Sequence, residues 1–333
     1  MDVLFAIEAG AVFGLGHYMR CRCLANELHR RGRTMALVLR GDAALTHRWP
    51  WPGGTAVIAA PDDVDVAAET VLALSDEHNP RWTVIDGYGF AGSALLGKLR
   101  EVKRPTLVID DISDKSLIAD IVLNQNVQDS TLYVDRAPGA TLLLGPQFAL
   151  IADAFRAARA NGDAADAISG VLVSFGGSDL RGMTPHVLRC LEDSPADIKR
   201  IDVVVGPYHA QSRCGTSLRP AIYYHVGTEN LCPLMARADV VVSSSGTSCW
   251  EACCLGRPLI AVQTVKNQRE VAATLRRSGA ALTLDATDGF SDDDFAVAWR
   301  DVQPVGVRNR LAATARDLVD GLGQGRVADA LGF

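Results

Sequence analysis

The apolar run "VLFAI" at residues 3–7 is followed almost at once by "GLGHYMRC" at residues 14–21. An apolar run, a glycine-containing turn and a segment with helical spacing predict a strand, a tight turn and a helix. The apolar positions of this helix are Cys21, Leu24, Ala25 and Leu28. The chain therefore opens with the strand–turn–helix element from which parallel sheets are built.

The same alternation continues along the whole chain. Further apolar runs that predict strands lie at residues 35–39, 83–86, 106–110, 120–124 and 141–145, and then at 171–176, 201–206, 222–226, 239–244, 258–262 and 281–284. Continuous apolar strands that alternate with helices are typical of parallel sheets covered on both faces. We therefore predict an α/β fold with two Rossmann-like, doubly wound parallel-sheet domains that face each other across a cleft.

The predicted domain boundaries follow from one change in composition. Residues 1–150 form the first Rossmann-like domain, and the Ala- and Asp-rich stretch at 151–169 contains no strand and is interpreted as a connecting helix and linker. Residues 170–305 form the second Rossmann-like domain. Residues 306–333 are predicted to be helical.

The overall composition excludes several classes of protein. The chain has 333 residues, of which 48% are hydrophobic, and a net charge of −6, so it has no overall positive field for nucleic acid. Its eight cysteines show no zinc-binding spacing, which favours reduced thiols. No apolar run approaches the roughly 20 residues of a membrane span. We expect a cytoplasmic protein without membrane insertion, metal or cofactor, and the sequence does not predict its oligomeric state.

The first glycine turn brings a histidine to the start of a helix. Gly14 and Gly16 allow tight backbone geometry, but a third glycine is missing, so the turn is a poor dinucleotide fingerprint. His17 is predicted in the first turn of the helix, where the helix dipole disfavours an imidazolium. A neutral imidazole is suited to general-base catalysis. A histidine that only caps its own helix is the alternative, and the spacing leaves both open.

Polar side chains also follow two other strands of the first half. The segments "VIDGYGF" and "VIDDISD" place four of them at strand ends, namely Asp86, Tyr88, Asp110 and Asp111. Such groups bind sugar hydroxyls or orient a base, although aspartates at strand ends are also ordinary caps.

Three turns of the second half suit a phosphorylated, ribose-bearing ligand. The segments "SFGGSDLRGMT" (174–184) and "SSSGTSCWE" (243–251) offer backbone N–H groups and hydroxyls at predicted helix starts. Glu251, one turn into its helix, is positioned to accept both hydroxyls of a ribose. "KNQRE" (266–270) brings two amide side chains to another helix start. A plain glycine turn or helix capping is the alternative for each.

Read together, these segments resemble the PseG family, the hydrolases of UDP-2,4-diacetamido-2,4,6-trideoxy-β-L-altropyranose in pseudaminic acid biosynthesis. The resemblance is carried, in order, by "GLGHYMRCRCLANEL", "VIDGYGF", "IDDISD", "LNQN", "LLGPQFALI", "VSFGGSD", "SSSGTSCWE" and "NQREVA". It implies a GT-B fold like that of the glycosyltransferase MurG, with a C-terminal helix that returns to the first domain. It also implies metal-independent hydrolysis of a UDP-sugar with inversion at the anomeric carbon.

The resemblance also implies a role for individual residues. His17 would activate water, Tyr88 would lie against the sugar, and Asn267 would serve the sugar or the diphosphate. The other residues expected on the substrate side are Gly14, Gly16, Arg20, Asp86, Asp110, Asp111 and Gln268. The diphosphate would be held by Gly176, Gly177, Ser178 and Asp179 and by Ser245, Gly246, Thr247 and Ser248. Glu251 would bind the ribose, with His225 and Val226 near the uracil.

Two departures from the family pattern keep other functions open. Ser245 stands where the family commonly has glycine and is expected to crowd the phosphate, and "LIA" at 150–152 lacks the family's basic residue. A sister enzyme acting on another nucleotide-linked deoxyamino sugar is one alternative. The others are a GT-B glycosyltransferase with a UDP-sugar donor and a regulator that binds a nucleotide sugar without catalysis.

Overall fold

The chain divides into two structural units. The computed structural model describes residues 1–112, 114–159, 162, 164–177, 179, 181–194, 196–208, 220–229 and 231–333. The first unit consists of Met1–Ala152 with Leu322–Phe333, and the second of Asp153–Gly321.

The first unit is built on a seven-stranded parallel sheet. Its strands are β1 (Val3–Ala9), β2 (Met35–Gly41), β3 (Ala56–Ala60), β4 (Trp82–Asp86), β5 (Thr106–Ile109), β6 (Ile121–Asn124) and β7 (Thr141–Leu144). The strand order is β3-β2-β1-β4-β5-β6-β7, so the direction of winding reverses at β1. Every residue of β1 is buried, as expected for the central strand of a sheet covered on both faces. Ligands of such sheets bind beyond the strands' carboxyl ends at this reversal.

Helices cover both faces of this sheet. They are α1 (Gly16–Arg30), α2 (Leu45–Arg48), α3 (Val64–His78), α4 (Tyr88–Gly92) and α5 (Leu95–Glu101), with short 3₁₀ turns at Ser130–Tyr133 and Pro146–Phe148. Leu4 and Ala6 of β1 contribute to a core that includes Val71 of α3 and Leu99 of α5. Helix α1 packs against β1 itself, which places its first turn beside the end of the central strand.

The second unit has a six-stranded parallel sheet of the same kind. Its strands are β8 (Gly170–Ser174), β9 (Arg200–Val205), β10 (Ala221–Val226), β11 (Val240–Ser244), β12 (Leu259–Gln263) and β13 (Leu282–Asp285), in the order β10-β9-β8-β11-β12-β13. Its helices are α6 (Asp153–Ala157), α7 (Met183–Glu192), α8 (Leu231–Arg237), α9 (Thr247–Leu255), α10 (Arg269–Ser278), α11 (Asp292–Val302) and α12 (Val305–Leu318), with a 3₁₀ turn at Lys266–Gln268. Valines of the central strands pack against Phe295 and Trp299 of α11.

The fold class agrees with the prediction, and the differences are local. Strand β3 was not predicted, because it is an edge strand with no buried residue and gives only a weak apolar signal. In the stretch 151–169, the described helix is limited to Asp153–Ala157. Residues 306–333 divide between the units: α12 packs on α9 in the second unit, whereas α13 (Gly323–Ala330) packs on α1 in the first.

The returning segment is attached to the first unit by polar contacts as well. Arg31 donates from Nη1 to Asp329 Oδ1 over 2.7 Å and to the main-chain oxygen of Phe333 over 2.6 Å. Trp82 Nε1 donates to the Leu331 carbonyl over 2.9 Å. Within the part of the chain that the structure describes, no helix is both long and apolar enough to cross a membrane.

Candidate active site

The loop that leads into α1 is closed by its own backbone. The amide of Gly10 donates to the Gly14 carbonyl over 3.0 Å, and the Gly14 amide donates back to Gly10 over 2.7 Å. Gly14 has φ +80°, a conformation that favours glycine. The helix then begins at Gly16, so His17 lies in its first turn as predicted from the spacing.

His17 does not cap its own helix but bonds to the central strand. Its Nδ1 lies 3.1 Å from the carbonyl oxygen of Glu8, and because a carbonyl only accepts, Nδ1 carries the proton. Nε2 is therefore the basic nitrogen of a neutral ring. It lies 3.7 Å from Asp111 Oδ2 and 4.0 Å from Asp86 Oδ1. The side chain is buried, with 6% of the residue's surface exposed.

The two carboxylates beside His17 are held by one arginine. Arg20 donates to Asp86 from Nε over 2.7 Å and from Nη2 over 2.6 Å. It donates to Asp111 from Nη1 over 2.6 Å and from Nη2 over 3.0 Å. Arg20 lies one turn after His17 on α1, while Asp86 ends β4 and Asp111 follows β5, so three elements meet at one point. Two carboxylates and one guanidinium have a net charge of −1, which the positive charge of an imidazolium at His17 would neutralise.

Neutral groups complete the surroundings of this cluster. Tyr88 donates its hydroxyl to Asp111 Oδ2 over 3.3 Å, and its ring meets the His17 ring edge to face at 5.2 Å. Asn126 donates from Nδ2 to Asp111 Oδ1 over 2.8 Å. Burial and the charge of Asp86 raise the pKa of the Cys21 thiol well above its usual range, and its Sγ donates to Asp86 Oδ2 over 3.2 Å.

The electrostatics of His17 differ from the sequence prediction. Burial by itself lowers the pKa of His17, but the charge of Asp86 and the hydrogen bond and charge of Asp111 outweigh it, and the pKa is raised above 6.5. The two carboxylates therefore stabilise the imidazolium, whereas the sequence prediction rested on the helix dipole alone, which disfavours it. Burial alone would raise the pKa of Asp111, but Arg20 and His17 hold it well below its usual range.

Asp110 takes part in a different contact. Its Oδ2 accepts from the Tyr133 hydroxyl over 2.5 Å, and its Oδ1 accepts from the Ile112 amide over 3.3 Å. Adjacent residues at a strand end point in different directions, so Asp111 contacts Arg20 while Asp110 bonds to Tyr133. Of the four predicted strand-end groups, Asp86, Tyr88 and Asp111 come together around His17.

In the second unit, the start of α9 combines backbone donors with hydroxyl groups. The helix begins at Thr247 after Gly246, and its first turn has no side-chain cap among the described residues. Ser245 is fully buried, and its hydroxyl has no hydrogen-bond partner in the part of the chain that the structure describes. The Ser245 side chain is therefore enclosed by the protein, and its expected effect on a phosphate stays a prediction.

Glu251, one turn into α9, is half-buried. Burial raises its pKa to about 7, and a hydrogen bond from Ser248 opposes this shift. The carboxyl group therefore changes charge near neutral pH.

The glycine turn after β8 is arranged differently from the turn before α9. Gly176 has φ +76°, and the Gly177 carbonyl accepts from the Tyr208 amide over 3.2 Å. The Asp179 carboxylate caps α7, accepting from the amides of Met183 over 2.8 Å and Thr184 over 2.9 Å. The helix start that was predicted to bind an anion thus already carries a carboxylate. Ser178 lies outside the described residues.

His225 and Val226 lie on β10 of the second unit, and His225 contacts an aspartate. His225 Nε2 lies 2.7 Å from Asp202 Oδ1, and Asp202 also accepts from Arg200 and Arg237. Burial alone would raise the pKa of Asp202, but these three partners lower it to about 2. Val226 is 58% exposed at the carboxyl end of β10.

The amide pair at the start of α10 is divided between two environments. Gln268 Oε1 accepts from the Thr264 amide over 2.8 Å and from the Thr264 hydroxyl over 3.2 Å, so it holds the turn after β12. Asn267 is exposed.

Two features of the first unit were not predicted from the sequence. Asn126 was quoted in "LNQN" without a role, and its position after β6 was the available signal. Glu8 and Arg40 form an ion pair across β1 and β2. The available signal was a charged residue within an otherwise apolar central strand. Among the described residues, no group of three or more His, Cys, Asp or Glu side chains is arranged to hold a metal.

Comparison with known proteins supports this architecture. No known family profile matches the chain. The spore coat polysaccharide biosynthesis protein SpsG of Bacillus subtilis strain 168 is 26% identical over 335 residues, covering 98% of this chain and 96% of SpsG. The crystal structure of MurG from Acinetobacter baumannii superposes with a TM-score of 0.66 at 12% identity and covers 100% of this chain and 99% of MurG.

A second solved structure leads to the same conclusion. The glycotransferase of kitacinnamycin superposes with a TM-score of 0.69 at 16% identity and covers 99% of this chain and 98% of its own. The predicted fold is confirmed, and the match to PseG in particular is not among these findings. The chain has the two-domain fold of the GT-B glycosyltransferases and is similar over nearly its whole length to SpsG.

Proposed function

We propose that the protein hydrolyses a UDP-linked deoxyamino sugar at the anomeric carbon and releases UDP and the free sugar with inversion. The observation that supports this best is the state of His17. Its Nδ1 proton is bonded to the Glu8 carbonyl, its Nε2 is the basic atom, and two carboxylates lie 3.7 and 4.0 Å from Nε2. This arrangement favours a general base whose protonated form is stabilised by its neighbours.

In the proposed reaction, Nε2 of His17 takes a proton from water as the water oxygen attacks the anomeric carbon. The bond from that carbon to the diphosphate oxygen breaks, and its electron pair leaves with UDP. The proton remains on His17, where the net charge of −1 on Arg20, Asp86 and Asp111 stabilises the imidazolium. A diphosphate is a good leaving group, so backbone donors are sufficient to stabilise its developing charge.

The nucleotide would be held by the second unit. The amides and hydroxyls at the start of α9 suit the diphosphate, because backbone N–H groups at a helix N-terminus attract anions. Glu251, with a pKa of about 7, would accept hydrogen bonds from the ribose once it is ionised. Gly176 and Gly177 would allow the phosphates a close approach, while Asp179 holds their turn by capping α7.

The sugar would be a 2,4-diacetamido-2,4,6-trideoxyhexose or a close relative, on the route to a nonulosonic acid. This rests on the resemblance to PseG, and the polysaccharide biosynthesis role in the name of SpsG supports the same area of metabolism. Tyr88 and Asn267 would contact the sugar. Asp86 and Asp111 would act through Arg20 and His17, since their oxygens are already hydrogen-bonded.

Glycosyl transfer is the second candidate. It is favoured by one finding, the structural similarity to the glycotransferase of kitacinnamycin. In that reaction His17 would deprotonate an acceptor hydroxyl instead of water, and the nucleotide side would be unchanged.

One experiment separates these candidates. The purified protein is incubated with a panel of UDP-sugars without acceptor, with and without EDTA, and UDP and free sugar are followed by NMR. Hydrolysis predicts equal amounts of UDP and inverted free sugar from one deoxyamino sugar, unaffected by EDTA. Release of UDP only after acceptors are added would establish the transferase, and binding without turnover in either case would contradict both.

A further inference from the structure

The ion pair between Glu8 and Arg40 is adjacent to the candidate active site, since Glu8 contacts His17 and the residue after Tyr88. Glu8 is fully buried in β1 and faces Arg40 of β2 in the register of the parallel pair. Its Oε1 bonds to Arg40 Nη1. A buried carboxylate destabilises the fold unless it is paired and hydrogen-bonded. We therefore ask what the Glu8 carboxylate does in the central strand.

The second carboxylate oxygen of Glu8 holds the segment that carries Tyr88. Oε2 accepts from the Gly89 amide over 2.8 Å. A Cβ at Gly87 would lie 2.6 Å from Glu8 Cγ and Oε2, and a Cβ at Gly89 would lie 2.2 Å from Oε1. Real Cβ atoms do not approach other atoms so closely. Glycine on either side of Tyr88 therefore leaves room for the Glu8 carboxylate.

The backbone of the same residue fixes the imidazole. The Glu8 carbonyl accepts from Nδ1 of His17, while its carboxylate holds the amide next to Tyr88. The rings of His17 and Tyr88 then meet edge to face at 5.2 Å. Glu8 thus contacts both partners of this ring pair, one through its main chain and one through its side chain.

Arg40 extends the contact to two further segments. Its Nε donates to the Asp62 carbonyl over 2.7 Å, and its guanidinium lies over the Phe13 ring at 5.1 Å. Phe13 belongs to the loop that leads into α1. The ion pair therefore connects that loop with the Tyr88 segment.

We propose that Glu8 is a positioning residue that sets Tyr88 against His17 through the Gly89 amide and Arg40. Its kinetic consequence rests on the hydrolysis proposed above. Its structural consequence, the contact between the two rings, does not depend on that reaction and is measured separately.

The structural test uses NMR of the histidine ring protons. The His17 resonances are assigned by their loss in His17→Gln, and Tyr88→Ala defines the shift that follows removal of the neighbouring ring. We expect Glu8→Ala to move the His17 resonances in the direction of Tyr88→Ala, and Glu8→Gln, which keeps an acceptor for Gly89, to move them less. Glu27→Ala is the matched control, because Glu27 is a buried partner of Arg31 elsewhere in the unit. Unmoved His17 resonances in folded Glu8→Ala would overturn the proposal.

A glycine pair decides the question if Glu8→Ala does not fold. Gly89→Ala places a methyl group against the carboxylate, whereas a Cβ added at Gly97 in α5 would meet no atom within 4 Å, so Gly97→Ala serves as the control. The proposal expects the His17 resonances to move in Gly89→Ala and to stay in Gly97→Ala. The same resonances in both variants would overturn it.

The kinetic test then asks whether the position matters for catalysis. Misplacement of a catalytic group by about 1 Å lowers turnover roughly 10–100-fold, so we expect that loss in kcat for Glu8→Ala, with UDP affinity unchanged and most activity restored in Glu8→Gln. Equal kcat in Glu8→Ala and wild type would overturn the catalytic role. A wild-type protein without hydrolase activity would refute the proposed function, while the NMR result would still test the position of Tyr88.

Discussion

The surroundings of His17 and the start of α9 show two opposite ways to build a polar site. Around His17, the carboxylates of Asp86 and Asp111 are occupied by Arg20 and its neutral neighbours. At α9, the first turn has no side-chain cap among the described residues, and the Ser245 hydroxyl has no partner there. The first arrangement keeps charges fixed in the absence of a ligand, whereas the second leaves the helix start without a side-chain acceptor from the described part of the chain.

This difference fits the proposal that the His17 cluster serves catalysis and the start of α9 serves binding. Charges that are already paired need little reorganisation during a reaction, which suits catalysis. Backbone donors at a helix start that no side chain caps can exchange water for an anionic ligand, which suits binding. The following substitutions test the two sides of this comparison, beginning with the largest expected effect.

Removal of Arg20 should break the first arrangement. Arg20→Ala leaves two buried carboxylates without their counter-ion, and loss of one partner of a buried ion pair lowers the free energy of unfolding by about 3–5 kcal/mol. Urea unfolding measures this loss. Arg30→Ala is the control on the same helix, because Arg30 is exposed and its partner Glu27 keeps a second ion pair with Arg31, so we expect a loss of about 1 kcal/mol or less. Equal losses in both variants would contradict the central role of Arg20.

Removal of the imidazole should affect turnover far more than nucleotide binding. We expect His17→Asn to lower kcat by roughly 10²-fold or more, because a positioned base contributes at least that much, while UDP affinity changes little. Calorimetric titration of UDP and steady-state kinetics measure the two quantities. Near-normal turnover in this variant would show that His17 is structural.

The pH dependence offers a further measure of the same residue. Since the pKa of His17 is raised, the neutral base becomes the main form at a higher pH than for an ordinary histidine, and kcat/KM should rise with pH through that raised pKa. Asp111→Asn removes one of the causes, so the acidic limb of its profile should move to lower pH. An unchanged limb would mean that another group controls it.

The fourth substitution concerns the binding side. Glu251→Gln keeps the shape of the side chain but loses the charged acceptor, and charge-assisted hydrogen bonds contribute about 1.5–3 kcal/mol, so UDP should bind roughly tenfold more weakly. Because the pKa of Glu251 is about 7, the difference from wild type should grow between pH 6 and pH 8. The exposed Glu192, changed to Gln, is the control. At each pH, UDP has the same ionisation state in the wild-type and variant titrations, so its own titration cancels from the difference in affinity. A difference that stays constant from pH 6 to pH 8 would contradict the role of the Glu251 charge.

The smallest effect is expected where a helix start is already occupied. Asp179→Ala removes the cap of α7 and should lower the free energy of unfolding by about 1 kcal/mol. UDP affinity should change less than in Glu251→Gln. A larger loss of affinity would indicate that the Asp179 turn contacts the nucleotide directly and that the contrast between α7 and α9 is overstated.

Much of the fold was predictable because buried parallel strands leave continuous apolar runs. Twelve of the thirteen described strands coincide with runs that were predicted, and the exception is β3 at the sheet edge, whose side chains are largely exposed. The apolar pattern did not divide the C-terminal helices between the units, and the return of a C-terminal helix to the first domain was implied only by the family resemblance.

The candidate site was predictable in its members but not in its pairings. Strand order brings Asp86 and Asp111 beside α1, and no spacing in the sequence encodes their shared bonds to Arg20. The direction of the His17 pKa shift was not predictable for the same reason, since it depends on groups 69 and 94 residues away in the chain, from 17 to 86 and 17 to 111. The turn with Asp179 was likewise predicted to bind phosphate, but the Asp179 carboxylate accepts from the first amides of α7.

The return of residues 322–333 to the first unit has a consequence for the order of assembly during synthesis. Helix α1 carries His17 and Arg20, and it packs against α13, with Arg31 bonded to Asp329 and Phe333. The ribosome must therefore make the whole second unit before α1 gains these last contacts. Helix α1 is translated before the second unit and gains its contacts with α13 only after it, so a nascent chain can fold the sheet of its second unit before α1 has its last contacts.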